Sequence, residues 1–110
     1  MTLDALLSKA SPKLQGTIRE FRKEILSLGG DTQERCCKTQ IAYWSHGRGL
    51  AWIQPSNRSF VLYLRGGTYD DPKGLLRPSG WNQRYQALSV YEEDADIEYL
   101  KRLLRQSFSM

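Results

Sequence analysis

A chain of 110 residues, 40% hydrophobic and 25% charged, fits one globular domain, which at this length buries roughly 60–70% of its unfolded surface without staples. No apolar run approaches the ~20 residues of a membrane span. The opening MTLDALLSKASPK has an acid at Asp4 and no basic segment before an apolar run, so it does not read as a secretory signal, and a cytoplasmic, membrane-free setting is expected. The net charge of +4 is unevenly spread: between Arg35 and Leu88 eight basic residues against Asp70 and Asp71 leave +6, whereas Glu92, Glu93, Asp94, Asp96 and Glu98 form an acidic strip. A basic centre attracts phosphate-bearing partners, although many proteins with a modest positive charge bind none.

Residues 3–9 read as a short helix. Ser11 and Pro12 then give a second start, with Ser11 as cap and Pro12 at the first helical position, where no N–H is needed. Leu14, Ile18, Phe21, Ile25 and Leu28 recur at spacings that share one helical face, with charged residues between them. Gly29-Gly30 ends this helix. From Gln33 to Trp44 the helical period disappears and a strand is expected, with Ile41 and Tyr43 on one face and Ala42 and Trp44 on the other. Residues 45–49, SHGRG, supply a turn; residues 50–54 a second strand; PSNR another turn; and residues 59–65 a third strand. Short connections make these neighbours antiparallel.

Residues 66–83, GGTYDDPKGLLRPSGWNQ, form the long irregular segment, and a loop of that length in a compact domain is often functional. A fourth strand follows over residues 85–91. Asp94 is then the expected cap of a closing helix striped by Ile97, Leu100, Leu104 and Phe108, with Lys101, Arg102 and Arg105 toward its C-terminal end. The amphipathic helices need a common apolar surface, and one sheet face provides it. The expectation is a single α+β domain over residues 1–110: two-layer, two N-terminal helices, a four-stranded antiparallel meander and a C-terminal helix.

The composition offers little to catalysis. Cys36 and Cys37 are adjacent, so on a strand they point to opposite faces and a mutual disulfide is disfavoured. Two thiols and one histidine cannot supply a four-ligand metal site, and no metal or cofactor is implied. His46, the sole histidine, sits in a glycine-rich turn with no partner pattern for a general base. Asp70-Asp71 with Lys73 could suggest a metal nuclease, but a neighbouring acid pair before Pro72 is more simply a turn.

Several strings resemble a known family when taken in order. They are Lys38 with Ile41-Ala42-Tyr43, Leu50-Ala51-Trp52-Ile53 with Pro55, Val61-Leu62-Tyr63-Leu64, Asp71-Pro72-Lys73-Gly74-Leu75, and Trp81. The family is a small bacterial and archaeal domain of unknown function. It often stands at the C-terminus of longer proteins described as predicted transport proteins or carrying nuclease-like N-terminal regions. The resemblance runs from about Lys38 to the closing helix and its Ser107-Phe108 finish. The family tends to place histidine before the tryptophan and glycine after it, where this chain has Gly80 and Asn82, so any role of that histidine is absent here. The resemblance implies no activity, and the nuclease-like company points to nucleic acid by association alone.

The residues themselves support a non-enzymatic binding module. Tyr43, Val61, Tyr63 and Arg65, with Tyr85 and Tyr91, are expected on the sheet face away from the helices, where rings stack bases and cations hold phosphates. Lys38, Arg48, Lys73, Arg77 and Arg84, with Trp81 in the long loop, complete the candidate surface. The plainer reading is that tyrosine favours half-buried strand positions in any case. One alternative is a homodimer or protein-interaction face made of Ala51, Ile53, Val61 and Tyr63. Another is a cleft for a small anion, walled by Trp52 and Trp81 with Lys73 or Arg77 on the charge. Trp44 and Trp52 are expected in the core.

Overall fold

The computed structural model describes residues 1–79 and 84–110. Helix α1 spans Leu3–Leu7, capped by the Thr2 hydroxyl, and α2 spans Pro12–Ser27. The Ser11 side chain accepts from the Leu14 amide and Pro12 stands in the first turn, as the sequence requires. Leu14, Ile18, Phe21 and Ile25 are the buried residues of α2, and Gly29, at φ 66°, turns the chain away after it.

Six strands follow among the described residues: β1 (Gln33–Cys36), β2 (Ile41–Ser45), β3 (Arg48–Pro55), β4 (Ser59–Arg65), β5 (Arg77–Pro78) and β6 (Tyr85–Tyr91). All pairings are antiparallel and the order is β1-β2-β3-β4-β6-β5. The expected four-strand meander is therefore a sheet of six. The segment from Gln33 to Trp44 is a hairpin rather than one strand, because the chain reverses between Cys36 and Ile41, where the Cys37 amide donates to the Gln40 carbonyl. The long loop yields β5, which adds to the outer edge of β6 opposite Gln86 and Ala87. Helix α3, Ile97–Ser109, closes the chain. Its cap is Asp96, which accepts from the Tyr99 amide, rather than Asp94, which ends a short 3-10 turn over Glu92–Asp94.

The β2–β3 connection is a two-residue turn, His46-Gly47, with φ of 56° and 70° and Ser45 paired to Arg48. Positive φ at both positions matches the right-handed twist of a hairpin. Just beyond it β3 carries one extra residue: Trp44 pairs with Gly49 and Tyr43 with Ala51, leaving Leu50 as a bulge. The Leu50 carbonyl accepts instead from the Ser107 hydroxyl of α3 at 2.9 Å.

The core joins α2 and α3 to alternate strand positions. Ile41 and Tyr43 of β2, Ala51 and Ile53 of β3, Phe60, Leu62 and Leu64 of β4, and Leu88 and Val90 of β6 lie in one buried cluster with the helix residues. Residues 69–73 of the long segment are fastened to α3. Asp70 pairs with Arg102, Asp71 accepts from the Tyr99 hydroxyl, and the Lys73 amide donates to the same hydroxyl at 3.0 Å. The acid pair thus serves the loop, since the Asp71 carboxylate also accepts from the Leu76 amide at 2.9 Å. No helix among the described residues is long and apolar enough to cross a membrane.

Candidate functional site

The strand positions that alternate with the core carry the site. One row crosses the whole sheet at right angles to the strands: Arg35 opposite Ala42, Ala42 opposite Trp52, Trp52 opposite Tyr63, Tyr63 opposite Ala87, and Ala87 opposite Arg77. Two rings stand at its middle, a small side chain flanks each, and a guanidinium closes either end. Strands lie roughly 4.8 Å apart, so five gaps span about 24 Å.

The rings form a connected strip. Trp44 meets Trp52 edge-on with centroids 6.4 Å apart and planes at 70°, and Trp52 meets Tyr85 edge-on at 4.6 Å and 68°. Trp52 leans over Gly49, where a Cβ would stand within 3.0 Å of the indole, so a glycine there is what lets the ring lie down on the strand. Trp44 is 37% exposed; Trp52, Tyr63 and Tyr85 are half-buried.

Charge follows the same division. Glu34 is the only acid in any strand among the described residues, and it faces the helices. It accepts from Arg22 Nε at 2.5 Å and from the Tyr43 hydroxyl at 2.8 Å. Burial pulls the Glu34 carboxyl up, the two hydrogen bonds pull it down further, and the net result lies below the usual glutamate value. Burial and the Glu34 contact together push the Tyr43 phenol well up. The ring-bearing face is left with arginine and no carboxylate on its strands.

Several expected site residues fall elsewhere. Tyr43 is fully buried on the helix face, held there by Glu34, so it cannot belong to an open platform. Arg65 is 5% exposed: its Nε donates to the Gly49 carbonyl at 2.6 Å, Nη2 to Ser45 at 3.1 Å and Nη1 to Ser107 at 3.1 Å. Burial, then the nearby Arg48 charge, lowers its pKa, and main-chain carbonyls rather than a carboxylate accept its N–H groups. Lys73 reaches Asp96 at 3.1 Å and lies over the Tyr99 ring, on the α3 side rather than beside Trp52. Ala51 and Ile53, assigned to a self-pairing face, are core. Trp44 and Trp52, assigned to the core, lie on the opposite face.

Others stand where a surface site needs them. Tyr63 occupies the middle of the row and Arg77 its end, its Nη1 donating to the Gly74 and Leu76 carbonyls. Arg48 and Arg84 are exposed at the hairpin end of the sheet, and Lys38 is exposed in the β1–β2 turn. Trp81 lies outside the described residues. His46 pairs with Asp31, Nδ1 to carboxylate at 3.3 Å, at the tip of its turn.

Residues 3–110 match the model of a domain of unknown function, DUF5655. The chain belongs to the DUF5655 family. The match takes in the N-terminal helices as well as the sheet and α3, which is more of the chain than the short strings from Lys38 onward cover. No curated protein and no solved structure matches it. What the sequence reading of this DUF5655 chain missed is Trp44 and Arg35, and it named Trp52 only as core or as the wall of an anion cleft with Trp81. A signal was present: Trp52 alternates with Gln54, and a polar residue two places along marks the wet face of a strand.

Proposed function

We propose that this DUF5655 domain binds single-stranded nucleic acid on the ring-bearing face of its sheet. The reading takes the domain as two-layered, with the helices on one face and the other left for the ligand. The observation that supports it best is the Arg35–Ala42–Trp52–Tyr63–Ala87–Arg77 row, with the Trp44–Trp52–Tyr85 strip beside it. Unpaired bases offer flat faces to indole and phenol rings, and the partly exposed Ala87 leaves room beside Tyr63, whereas Ala42 is buried. Phosphates would meet guanidinium groups at each edge, which form two parallel hydrogen bonds to a phosphate. Duplex is disfavoured because its bases are already stacked on one another.

Stacking contributes roughly 1–3 kcal/mol per base by alanine substitution. No catalytic group is required of such a face, and the domain acts by holding its strand. The test is a titration of tryptophan fluorescence with short single-stranded oligonucleotides at low salt. Quenching is expected, with log K falling against log salt at a slope of about −0.7 per phosphate contacted. Trp52→Ala and Arg35→Ala should each weaken binding, Arg35→Ala while leaving the melting temperature near that of the parent. An unchanged signal with every oligonucleotide at low salt would overturn the reading.

A further inference from the structure

At the hairpin end of the sheet lies a concavity of about 390 Å³ lined by Arg48, Gly49, Arg65, Gly66, Arg84 and Tyr85. Half of these residues are arginine and none is acidic. We infer that this concavity is a phosphate-monoester pocket, built for the terminal phosphate of a nucleotide or of a nucleic-acid strand whose base rests on the Trp52–Tyr85 pair.

The argument begins with Arg65. Its guanidinium is fixed by main-chain carbonyls from the β2–β3 hairpin and the end of α3, and among the described residues no carboxylate side chain pairs with it. A buried cation that has hydrogen-bond partners but no counter-charge leaves a positive field at the pocket floor. Arg48 adds to that field rather than relieving it, and its charge contributes to the lowered pKa of Arg65. Holding like charges together disfavours the empty pocket, and an entering anion offsets the cost. Arg48 is also aimed, since its Nη1 donates to the main-chain oxygen of Met110 at 3.0 Å, and among the described residues no side chain fills the rest of its fork.

The walls are main chain and ring. At Gly66 the amide donates to the Arg84 carbonyl at 2.6 Å, and a Cβ would drive into that same carbonyl. This contact ties Arg84 to the end of β4, so the two exposed arginines are held at the same mouth. Trp52, lying over Gly49, and Tyr85, 4.6 Å from it, supply flat apolar surface next to the charge. A backbone diester brings one negative charge, whereas a monoester brings about −1.5 to −2 and three acceptor oxygens. A site with several guanidinium groups and no acidic side chain in its described lining favours the latter. The placing of the base rests on the stacking reading above; the pocket does not.

Two pairs of probes test this: a nucleoside against its 5′-monophosphate, and one oligonucleotide with and without a 5′-phosphate, each read by tryptophan quenching. The phosphorylated member of at least one pair is expected to bind roughly tenfold more tightly. That gain should vanish in an Arg48→Gln/Arg84→Gln double variant whose melting temperature is unchanged. A gain with the mononucleotide alone assigns the pocket to free nucleotides, and a gain with the oligonucleotide assigns it to strand ends. Equal affinity with and without phosphate in both pairs, or a gain that survives in the double variant, overturns the inference. An unphosphorylated oligonucleotide that still binds then leaves the stacking reading standing, while its failure to bind counts against that reading alone.

Discussion

The Trp52 indole lies across Gly49, close enough that a Cβ on the glycine would overlap the ring. Glycine in a strand interior usually weakens it, so here its value is the ring it admits. The atom in the way belongs to the far end of a half-buried side chain, which can swing aside. Gly49→Ala is therefore expected to change stability by less than about 1 kcal/mol while altering tryptophan fluorescence and the near-ultraviolet circular dichroism of the Trp52–Tyr85 pair. Gly66→Ala meets the Arg84 carbonyl, which cannot swing, and should cost about 1–3 kcal/mol. Equal destabilisation of the two variants in urea melts would contradict this account.

Removing the Arg65 guanidinium leaves the carbonyls of Ser45, Gly49 and Ser107 without that donor in a buried place. Arg65→Met is expected to cost about 2–4 kcal/mol, because the acceptors lose partners that the apolar side chain cannot replace. Arg65→Lys should recover little, since an ammonium lacks the planar fork that reaches three elements at once. Chemical denaturation of both variants decides it, and a lysine variant as stable as the parent would speak against the fork.

Acid should unfold this domain in a definite window. The folded Glu34 and Asp71 carboxyls lie below their ordinary values of 4.5 and 3.8: burial raises each, and hydrogen bonds from Arg22 and Tyr43, or from the Tyr99 hydroxyl and Leu76 amide, more than reverse it. A depressed carboxylate contributes stability above its unfolded value and loses it as pH falls through the folded one. Stability is therefore expected to drop below about pH 4.5, with a shallower acid limb in Glu34→Gln. At the other end, burial and then Glu34 raise the Tyr43 phenol above its ordinary 10.0. Its contribution is complete below that value and declines as pH rises beyond it. Denaturant midpoints measured from pH 3 to about 11 should trace both limbs.

His46 holds a positive φ of 56° that glycine or asparagine adopts at lower cost. Its exposed pairing with Asp31 contributes little. His46→Gly should leave the fold intact and raise stability by about 0.5–1 kcal/mol. Ligand binding should be unaffected. A marked loss of binding in this variant, with stability preserved, would assign the imidazole a role that its position in the turn does not suggest.

The helices were legible because their signals are local. Ser11 and Pro12 begin α2, the Leu14–Ile18–Phe21–Ile25 stripe fixes its buried face, and Gly29 turns the chain after it. Strands β4 and β6 could be bounded to the residue for the same reason: each is a short run of strand-forming residues set between polar or turn-forming ones. What local pattern does not carry is which face of a strand is covered. In β2 the alternation correctly separated Ile41 and Tyr43 from Ala42 and Trp44, but the tryptophan was expected inside and the tyrosine outside, the reverse of what the structure has. The cover is decided by partners far along the chain, as when Arg22 and Glu34 claim the Tyr43 hydroxyl. The bulge at Leu50 adds to this, since adjacent buried residues break the period at the point where it was needed. Strand β5 is two residues long and exists only through its pairing with β6, so no window of sequence could reveal it. The arginine–ring row is likewise a product of register across six strands rather than of any one segment.

One consequence of the way Arg65 is seated concerns the end of the chain's last helix. Terminal turns ordinarily fray on their own, but here the carbonyls of Ser107 and Phe108 share one side chain with the tip of the hairpin. Opening either one strips the other of its donor, so the amides of both should exchange with solvent deuterium together, as one cooperative unit bridging the His46-Gly47 turn and the final residues.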